Sequence, residues 1–129
     1  MPQYWILKTE PSEYAFADLQ RDGRTRWDGI SNALALKHLR SMHRGDEAMV
    51  YHTGDEKSVV GLAKVVSEPD AQAIVELEPG PALPTPVSLA TIKADPAFKD
   101  LALVRMSRLS VVPVPPEMWR KLLGMAGAH

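Results

Sequence analysis

The sequence predicts one domain of the α+β class, in which a mixed, curved sheet or a small β-barrel has short helices packed around it. Three observations predict this class. The chain has 129 residues, a length typical of one domain. About five segments have the apolar pattern of strands. Short segments with helix-start signals lie between them. We therefore assign residues 1–129 to a single domain.

The first half of the chain reads as one strand and two helices. Residues 3–9 (QYWILKT) contain four consecutive large apolar residues and predict the first strand. Ser12 is the predicted N-cap of a short helical piece that stops at the Asp-Gly pair 22–23. After a turn at 28–29, Ser31 or Asn32 can cap a second helix, which ends at the Gly-Asp pair 45–46.

The second half reads as a hairpin, a third strand and a mixed C-terminal part. Residues 47–53 and 58–68 predict two strands joined by a turn at 54–55, and 73–78 predict a third. We expect the proline-rich stretch 78–87 to be an extended loop, followed by a short helix that begins at Ser88 or Thr91 and ends at 95–96. Residues 103–114 predict a long strand, and Pro115 lies in the first turn of a last helix.

Composition favours a globular protein of the cytoplasm. Apolar residues make up 45% of the chain and charged residues 24%, which is enough for a packed core. No apolar run approaches the roughly 18 residues that cross a bilayer. There is no cysteine, which fits a reducing compartment. We expect a cytoplasmic monomer with no membrane contact.

No metal or cofactor is expected. The four histidines show no spacing typical of metal ligands, and without cysteine there is no thiolate site; they are His38, His43, His52 and His129.

Charge is unevenly distributed along the chain. The formal net charge is −1, but residues 21–44 contain six basic and two acidic residues, a balance of +4. Residues 46–100 contain ten acids and four lysines, a balance of −6. A basic face near 21–44 could bind phosphates, although a helix with solvated charges has the same pattern.

The residues at the element ends leave alternatives open. Trp27 stands beside the Asp-Gly turn 28–29 and is either a plug of the core or a stacking surface at a pocket. Tyr51 is either a wall of the barrel, the usual place of such an aromatic residue, or part of a site. His52 is expected either to hydrogen-bond a neighbouring carbonyl or to contact a ligand. A buried carboxylate needs a partner, so Glu10 is expected to pair with Arg108. Trp5 and Trp119 lie inside apolar stretches and are expected in the core.

Four polar and aromatic segments carry a family resemblance: KTEP (8–11), RWDGISN (26–32), VYHT (50–53) and SRLSV (107–111). MHRGD, VGLAKV and PVSL lie between them in order, and a tryptophan follows at position 119. Together these motifs resemble the EVE domain family, a branch of the PUA-like superfamily that includes the thymocyte nuclear protein type and is related to the YTH readers of methylated adenine. Ser31 stands where the family usually has arginine, so one cation that could bind phosphate is missing.

The resemblance implies a PUA-like fold and a non-catalytic reader. Its ligand would be a modified nucleobase of the methylated or hydroxymethylated cytosine type in DNA or RNA, held in an aromatic pocket with Trp27 as the stacking surface. Hydrogen bonds from Thr9, Asn32 and Ser110 would select the base. The full set of implied ligand-binding residues is Lys8, Thr9, Glu10, Trp27, Gly29, Ser31, Asn32, Tyr51, His52, Arg108, Leu109 and Ser110.

Two other functions remain open at this point. Related PUA-like proteins of the ASCH type hydrolyse a modified pyrimidine nucleoside with lysine, threonine and glutamate, which Lys8, Thr9 and Glu10 could supply. Consecutive strand residues point to alternate faces, which weakens a joint role for these three. The other alternative is a small-metabolite or protein-interaction module, which Ser31 and the net charge favour.

Overall fold

The computed structural model describes residues 2–128 and contains six strands and five α-helices. In chain order the elements are β1 (Tyr4–Thr9), α1 (Phe16–Asp22), β2 (Thr25–Trp27), α2 (Ala33–Arg40), β3 (Glu47–His52), β4 (Ser58–Val65), β5 (Val75–Ser88), α3 (Leu89–Ala94), a 3₁₀ turn (Pro96–Phe98), α4 (Ala102–Arg105), β6 (Val111–Val114) and α5 (Pro116–Met125). No helix among residues 2–128 has the length and apolar character needed to cross a membrane.

The six strands form one mixed sheet in the order β2-β5-β4-β3-β1-β6. β1 and β3 are parallel, and the other neighbours are antiparallel. β2 and β6 are the edges, so the sheet stays open. Three strands separate β1 from β2, yet Thr9 and Trp27 line the same cavity, which requires a strongly curled sheet. The predicted α+β class with a mixed, curved sheet is confirmed.

The core contains the two tryptophans that the sequence assigned to it. Trp5 and Trp119 are both 3% exposed. The indole N–H of Trp5 donates to Asp46 Oδ2 at 3.0 Å. The Trp119 ring stacks on Tyr4, with 4.7 Å between the ring centroids. These contacts anchor the start of β1. Its carboxyl end lies at the opposite end of the strand, away from them.

The start of α1 differs from the prediction. The helix begins at Phe16 with Ala15 as N-cap, because the Asp18 carboxylate turns back and accepts a hydrogen bond from the Ala15 amide at 2.7 Å. Ser12 is not the cap; its side chain donates to Glu10. The next helix is capped by Asn32, one of the two predicted residues, but ends at Arg40 rather than at 45–46.

The proline-rich stretch 78–87 is strand, not loop. β2 pairs with β5 only at Val75–Leu77, so beyond that point β5 has a single neighbour, β4. The ladder with β4 is also irregular around Gly61. Prolines are tolerated on a free edge and at bulges, because the missing N–H is not needed there. The short helix that follows, α3, is capped by Ser88, one of the two predicted residues.

The long strand predicted at 103–114 is wrong. Ala102–Arg105 forms α4, a turn follows, and only Val111–Val114 forms β6. Leu101 and Leu103 are both buried at a spacing of two, which mimics a strand in the sequence. Such a short helix is stabilised by packing rather than by its own residues. The final helix has Pro115 as N-cap and Pro116 as its first residue.

Candidate functional site

Three of the motif segments meet at the carboxyl ends of two neighbouring strands. Because β1 and β3 are parallel, Lys8 lies beside Tyr51 and Thr9 beside His52. Ser110 joins from the segment before β6, where its carbonyl accepts a hydrogen bond from the Lys8 amide at 2.9 Å. Parallel pairing therefore gathers residues that are about 40 to 100 positions apart in the sequence.

A cavity of about 630 Å³ opens on one side of this strand end and is called the aromatic cavity here. It lies between the end of β1, the segment before α1, and β2. Two aromatic residues, Tyr14 and Trp27, line this cavity together with Ile30. The other lining residues are polar or charged: Lys8, Thr9, Glu10, Glu13, Arg24, Thr25, Arg26 and Asp28. The cavity contains equal numbers of cationic and carboxylate side chains, three of each.

Trp27 is a wall of the aromatic cavity rather than a projecting platform. It is 7% exposed and pairs with Val75 in the sheet. On its other side it borders a smaller cavity of about 160 Å³, which Gly29 also lines. Gly29 has φ +76°, the left-handed conformation that the turn requires. Trp27 therefore mainly fills the core, which is the first of its two alternatives, and it also lines the aromatic cavity.

Tyr14 is the cavity aromatic that sequence reasoning missed. Its ring meets Trp27 edge to face, with 6.4 Å between centroids and 76° between planes. The Tyr14 hydroxyl donates to Asp22 Oδ2 at 2.8 Å. The ring itself is half-buried and lines the aromatic cavity. The residue looked like an apolar position of α1, but α1 begins two residues later. The amides of Glu13 and Tyr14 instead donate to the Glu10 carbonyl, which makes a separate turn before α1.

A second cavity of about 480 Å³, called the cationic cavity here, shares Lys8, Thr9 and Glu10 with the first. Tyr51, Arg108 and Ser110 line this cavity rather than the aromatic one. The remaining lining residues are Thr53, Gly54, Lys57, Leu89, Lys93, Leu103 and Ser107. The residues that the resemblance assigns to one pocket are therefore divided between two adjoining cavities.

Five implied residues line neither cavity: Gly29, Ser31, Asn32, His52 and Leu109. Asn32 uses its carboxamide oxygen to accept from the Ala35 amide at 3.0 Å. Asn32 and Leu109 line a third cavity of about 460 Å³, together with Arg108. Ser31 is exposed just before α2. Gly29 borders only the small cavity behind Trp27, as described above.

His52 holds the cavity wall in place. Its Nε2 accepts a hydrogen bond from the Phe16 amide at 3.0 Å, and its Nδ1 lies 2.9 Å from Glu56 Oε2. Because the amide donates to Nε2, the ring proton is on Nδ1 and is donated to Glu56. The ring is buried, so both nitrogens are used inside the protein. The acceptor role toward the backbone differs from the expected bond to a carbonyl.

Glu10 does not pair with Arg108 as expected. Its Oε1 accepts from the Ser12 amide at 3.2 Å and from the Ser12 hydroxyl at 2.9 Å, while Oε2 accepts from Thr53 Oγ1 at 3.1 Å. The Ser12 hydrogen bonds, chiefly the one from its amide, lower the pKa of Glu10 below its usual value. The carboxylate therefore closes the turn after β1 through Ser12 and joins it to the residue after β3 through Thr53.

Lys8 and Thr9 are also engaged with the protein. The Thr9 hydroxyl donates to the Tyr14 carbonyl at 2.6 Å. Lys8 Nζ donates to the Ser107 carbonyl at 2.9 Å and lies 5.7 Å from the centroid of the Tyr51 ring. Burial lowers the pKa of Lys8. The two side chains connect the shared wall of the cavities to the segments on either side of it.

Part of the basic segment 21–44 is neutralised. Arg24 lies 3.0 Å from Glu76, Arg26 lies 3.5 Å from Asp70, and Arg21 pairs with Asp18. The two arginines of the aromatic cavity therefore have carboxylate partners on neighbouring segments. Within residues 2–128, no three His, Asp or Glu side chains are grouped as a metal site would need.

Comparison with known proteins identifies the family. The EVE domain family matches residues 3–125. Thymocyte nuclear protein 1 of Rattus norvegicus is 35% identical in an 80-residue alignment that covers 53% of this chain and 35% of the relative. The chain thus matches about a third of the length of this curated relative.

Two solved structures extend the likeness to almost the whole fold. An NMR structure of a Rhodopseudomonas palustris protein is 38% identical, with a TM-score of 0.90 over 97% of this chain and 93% of that one. A crystal structure of human THYN1 protein, in complex with DNA containing 5-methylcytosine, is 25% identical, with a TM-score of 0.88 over 96% of this chain and 97% of that one. The PUA-like fold that the resemblance implied is confirmed. The chain belongs to the EVE domain family.

Proposed function

We propose that this chain is a non-catalytic reader that binds a modified cytosine, methylated or hydroxymethylated, taken out of DNA into the aromatic cavity. The human family member bound to DNA with 5-methylcytosine supports the class of ligand. The observation that carries the proposal for this chain is the aromatic cavity itself, in which Tyr14 and Trp27 stand beside carboxylates and cations at the end of β1.

The lining of the aromatic cavity suits a cytosine ring. Its volume of about 630 Å³ lies in the range of small-ligand pockets. The exocyclic amine of cytosine is a donor that pairs with Asp or Glu, and Glu13 and Asp28 both line the cavity. Arg24 or Arg26 can donate to the ring nitrogen or carbonyl of the base. Tyr14 offers the larger accessible aromatic surface, because Trp27 is buried and Tyr14 is only half-buried.

The energies allow such a reader but limit its selectivity. Extraction of a base from a duplex costs a few kcal/mol. Stacking on an aromatic side chain returns about 1 to 3 kcal/mol per base. One methyl group in an apolar slot adds only about 1 to 3 kcal/mol of discrimination. We therefore expect a preference of about tenfold for the modified base, and weaker binding to intact duplex than to single strands.

The hydrogen bonds of the shared wall argue against hydrolysis. An ASCH-type reaction would need Lys8, Thr9 and Glu10 to act together. The Thr9 hydroxyl proton is instead directed to the Tyr14 carbonyl, and Glu10 is held by Ser12 and Thr53. In the part of the chain that the structure describes, no side chain is therefore placed to act as a general base toward the Thr9 hydroxyl. We expect acetylated cytidine to remain intact after long incubation with the protein, and its hydrolysis would favour the enzyme.

An NMR titration of isotope-labelled protein tests the binding site. The ligands are free 5-methyldeoxycytidine, 5-hydroxymethyldeoxycytidine, deoxycytidine, and short DNA and RNA oligonucleotides that carry them. We expect the amide signals of Thr9, Tyr14 and Trp27 to shift most with the modified cytosines. If none of these ligands shifts them, the reader proposal fails, and a small-metabolite or protein-interaction module becomes the better account.

A further inference from the structure

The cationic cavity has an unusual balance of charge. Four cations line it, Lys8, Lys57, Lys93 and Arg108, against one carboxylate, that of Glu10. The Glu10 carboxylate is already bound by Ser12 and Thr53. Like charges repel one another in a shared cavity, and a folded chain tolerates such a cluster more easily when an anion enters it.

The cations of this cavity are left without acidic partners, unlike many others in the chain. Across residues 2–128, Lys57, Lys93 and Arg108 form no ion pair, and Lys8 donates to a carbonyl rather than to a carboxylate. By contrast, the other cations at the neighbouring aromatic cavity, Arg24 and Arg26, both have carboxylates within 4 Å. Positive charge is therefore available in the cationic cavity.

The backbone holds one of these cations in an unfavourable conformation. Lys57 has φ +44°, in the left-handed region that residues with a side chain rarely adopt. Its carbonyl accepts a hydrogen bond from the Leu89 amide at 2.7 Å, which connects the turn before β4 to α3. Lys93 projects from the same helix α3. The contact brings two lysines from distant parts of the sequence to one cavity.

We infer that the cationic cavity binds a phosphate group of the nucleotide whose base occupies the aromatic cavity. The guanidinium of Arg108 and the three ammonium groups are the donors that phosphate oxygens prefer, and Ser110 and Thr53 add hydroxyls. The two cavities share Lys8, Thr9 and Glu10, so one nucleotide or its direct neighbour can reach both. The identity of the ligand rests on the proposed function. Base binding in the aromatic cavity and phosphate binding in the cationic cavity are nevertheless tested by different measurements.

The test compares ligands with and without phosphate. We expect the nucleoside 5-methyldeoxycytidine to shift amides of the aromatic cavity only. Its 5′-monophosphate, and a short single-stranded oligonucleotide that contains the same base, should also shift Lys57, Lys93, Arg108 and Ser110. Stronger binding of the monophosphate would identify a free nucleotide, and stronger binding of the oligonucleotide would identify the polymer. If neither phosphate-bearing ligand shifts these four signals, the inference is overturned.

A double variant, Lys93→Gln with Arg108→Gln, tests the energetics. Both side chains are exposed, so the amide spectrum should show an intact fold. We expect the affinity for the oligonucleotide to fall about tenfold or more for each cation, because hydrogen bonds to charged groups contribute about that much. The slope of log affinity against log salt should decrease by about 0.7 per lost phosphate contact.

A matched control removes two cations elsewhere. Lys99→Gln with Arg120→Gln changes the net charge equally, at exposed positions after the 3₁₀ turn and on α5. Equal losses of affinity in the two double variants would mean a general charge effect and would overturn the inference. The ratio of affinities for modified and unmodified cytosine reports on the aromatic cavity instead. Unchanged phosphate-dependent binding in the Lys93 and Arg108 double variant, with that ratio intact, would therefore refute the phosphate site alone.

Discussion

The backbone amide of Phe16 donates a hydrogen bond to Nε2 of His52 across 3.0 Å. This bond joins the last residue of β3 to the first residue of α1. Residues 10–16, which include Tyr14 of the aromatic cavity, lie between β1 and this junction. Because Glu10 is tied to Thr53 at the other end of the same segment, the cavity wall is attached to the sheet at both ends.

Replacement of His52 should destabilise the protein. His52→Ala leaves the buried Phe16 amide without its acceptor and removes a buried ring. We expect the free energy of unfolding to fall by about 2 kcal/mol or more, as measured by urea denaturation. His43→Ala is the control: its side chain is 68% exposed, and its contact with Glu68 should contribute about 0.5 kcal/mol or less. Similar losses in both variants would contradict the anchoring role of His52.

Two glycine substitutions should have opposite effects on stability. Gly61 of β4 lies under the Phe16 ring, and an added Cβ would overlap that ring. Gly61→Ala should therefore cost about 1 to 3 kcal/mol through displaced packing. Gly124 lies in α5, where an added Cβ meets nothing within 4 Å. Gly124→Ala should stabilise by up to about 1 kcal/mol, and a loss of stability there would contradict the open space described.

The ring of Tyr14, rather than its hydroxyl, should determine binding of the base. Tyr14→Phe keeps the ring and loses the hydroxyl that bonds Asp22, so affinity for a modified-cytosine oligonucleotide should change little. Tyr14→Leu removes the aromatic surface and should weaken binding by about 1 to 3 kcal/mol. Calorimetric titration measures both. If Tyr14→Leu binds as tightly as the wild type, Tyr14 is not the stacking surface.

Glu10 should contribute to the loss of stability in acid. Its pKa is lowered in the folded protein, so near pH 4 the unfolded state binds more protons. The stabilisation by Glu10 is present above its unfolded pKa and is lost as the pH falls through the folded pKa. Glu10→Gln removes this titration, and its free energy of unfolding should fall less between about pH 5 and pH 3 than that of the wild type. An identical decrease in both proteins would contradict the role of the Ser12 and Thr53 bonds.

The sequence was informative about where the motifs lie along the chain, and less so about which cavity each motif residue lines. It predicted β1 and the β3–β4 hairpin, and it named Asn32 and Ser88 each as one of two possible caps, because these depend on local patterns. It placed Trp27, Tyr51 and Ser110 in one pocket. Their division between two cavities depends on the curl of the sheet and on the edge position of β2, a three-residue strand with no local signal.

Some motif residues have structural roles that their spacing did not reveal. In MHRGD (42–46), the buried Asp46 accepts hydrogen bonds from the Trp5 indole and from the amides of Gln3 and His43, each at 3.0 Å. Gly45 before it has φ +98°, which favours glycine. Gln3 and Trp5 lie more than 40 residues before Asp46 in the sequence, so their hydrogen bonds to it form only in the folded chain.

The most direct test of the central claim is the affinity of the wild-type protein for two single-stranded DNA oligonucleotides of identical sequence. They differ only in one position, which carries cytosine or 5-methylcytosine, and both are measured by calorimetry at the same moderate salt concentration. We expect about tenfold tighter binding of the methylated strand. Equal affinities for the two strands would contradict a reader of modified cytosine.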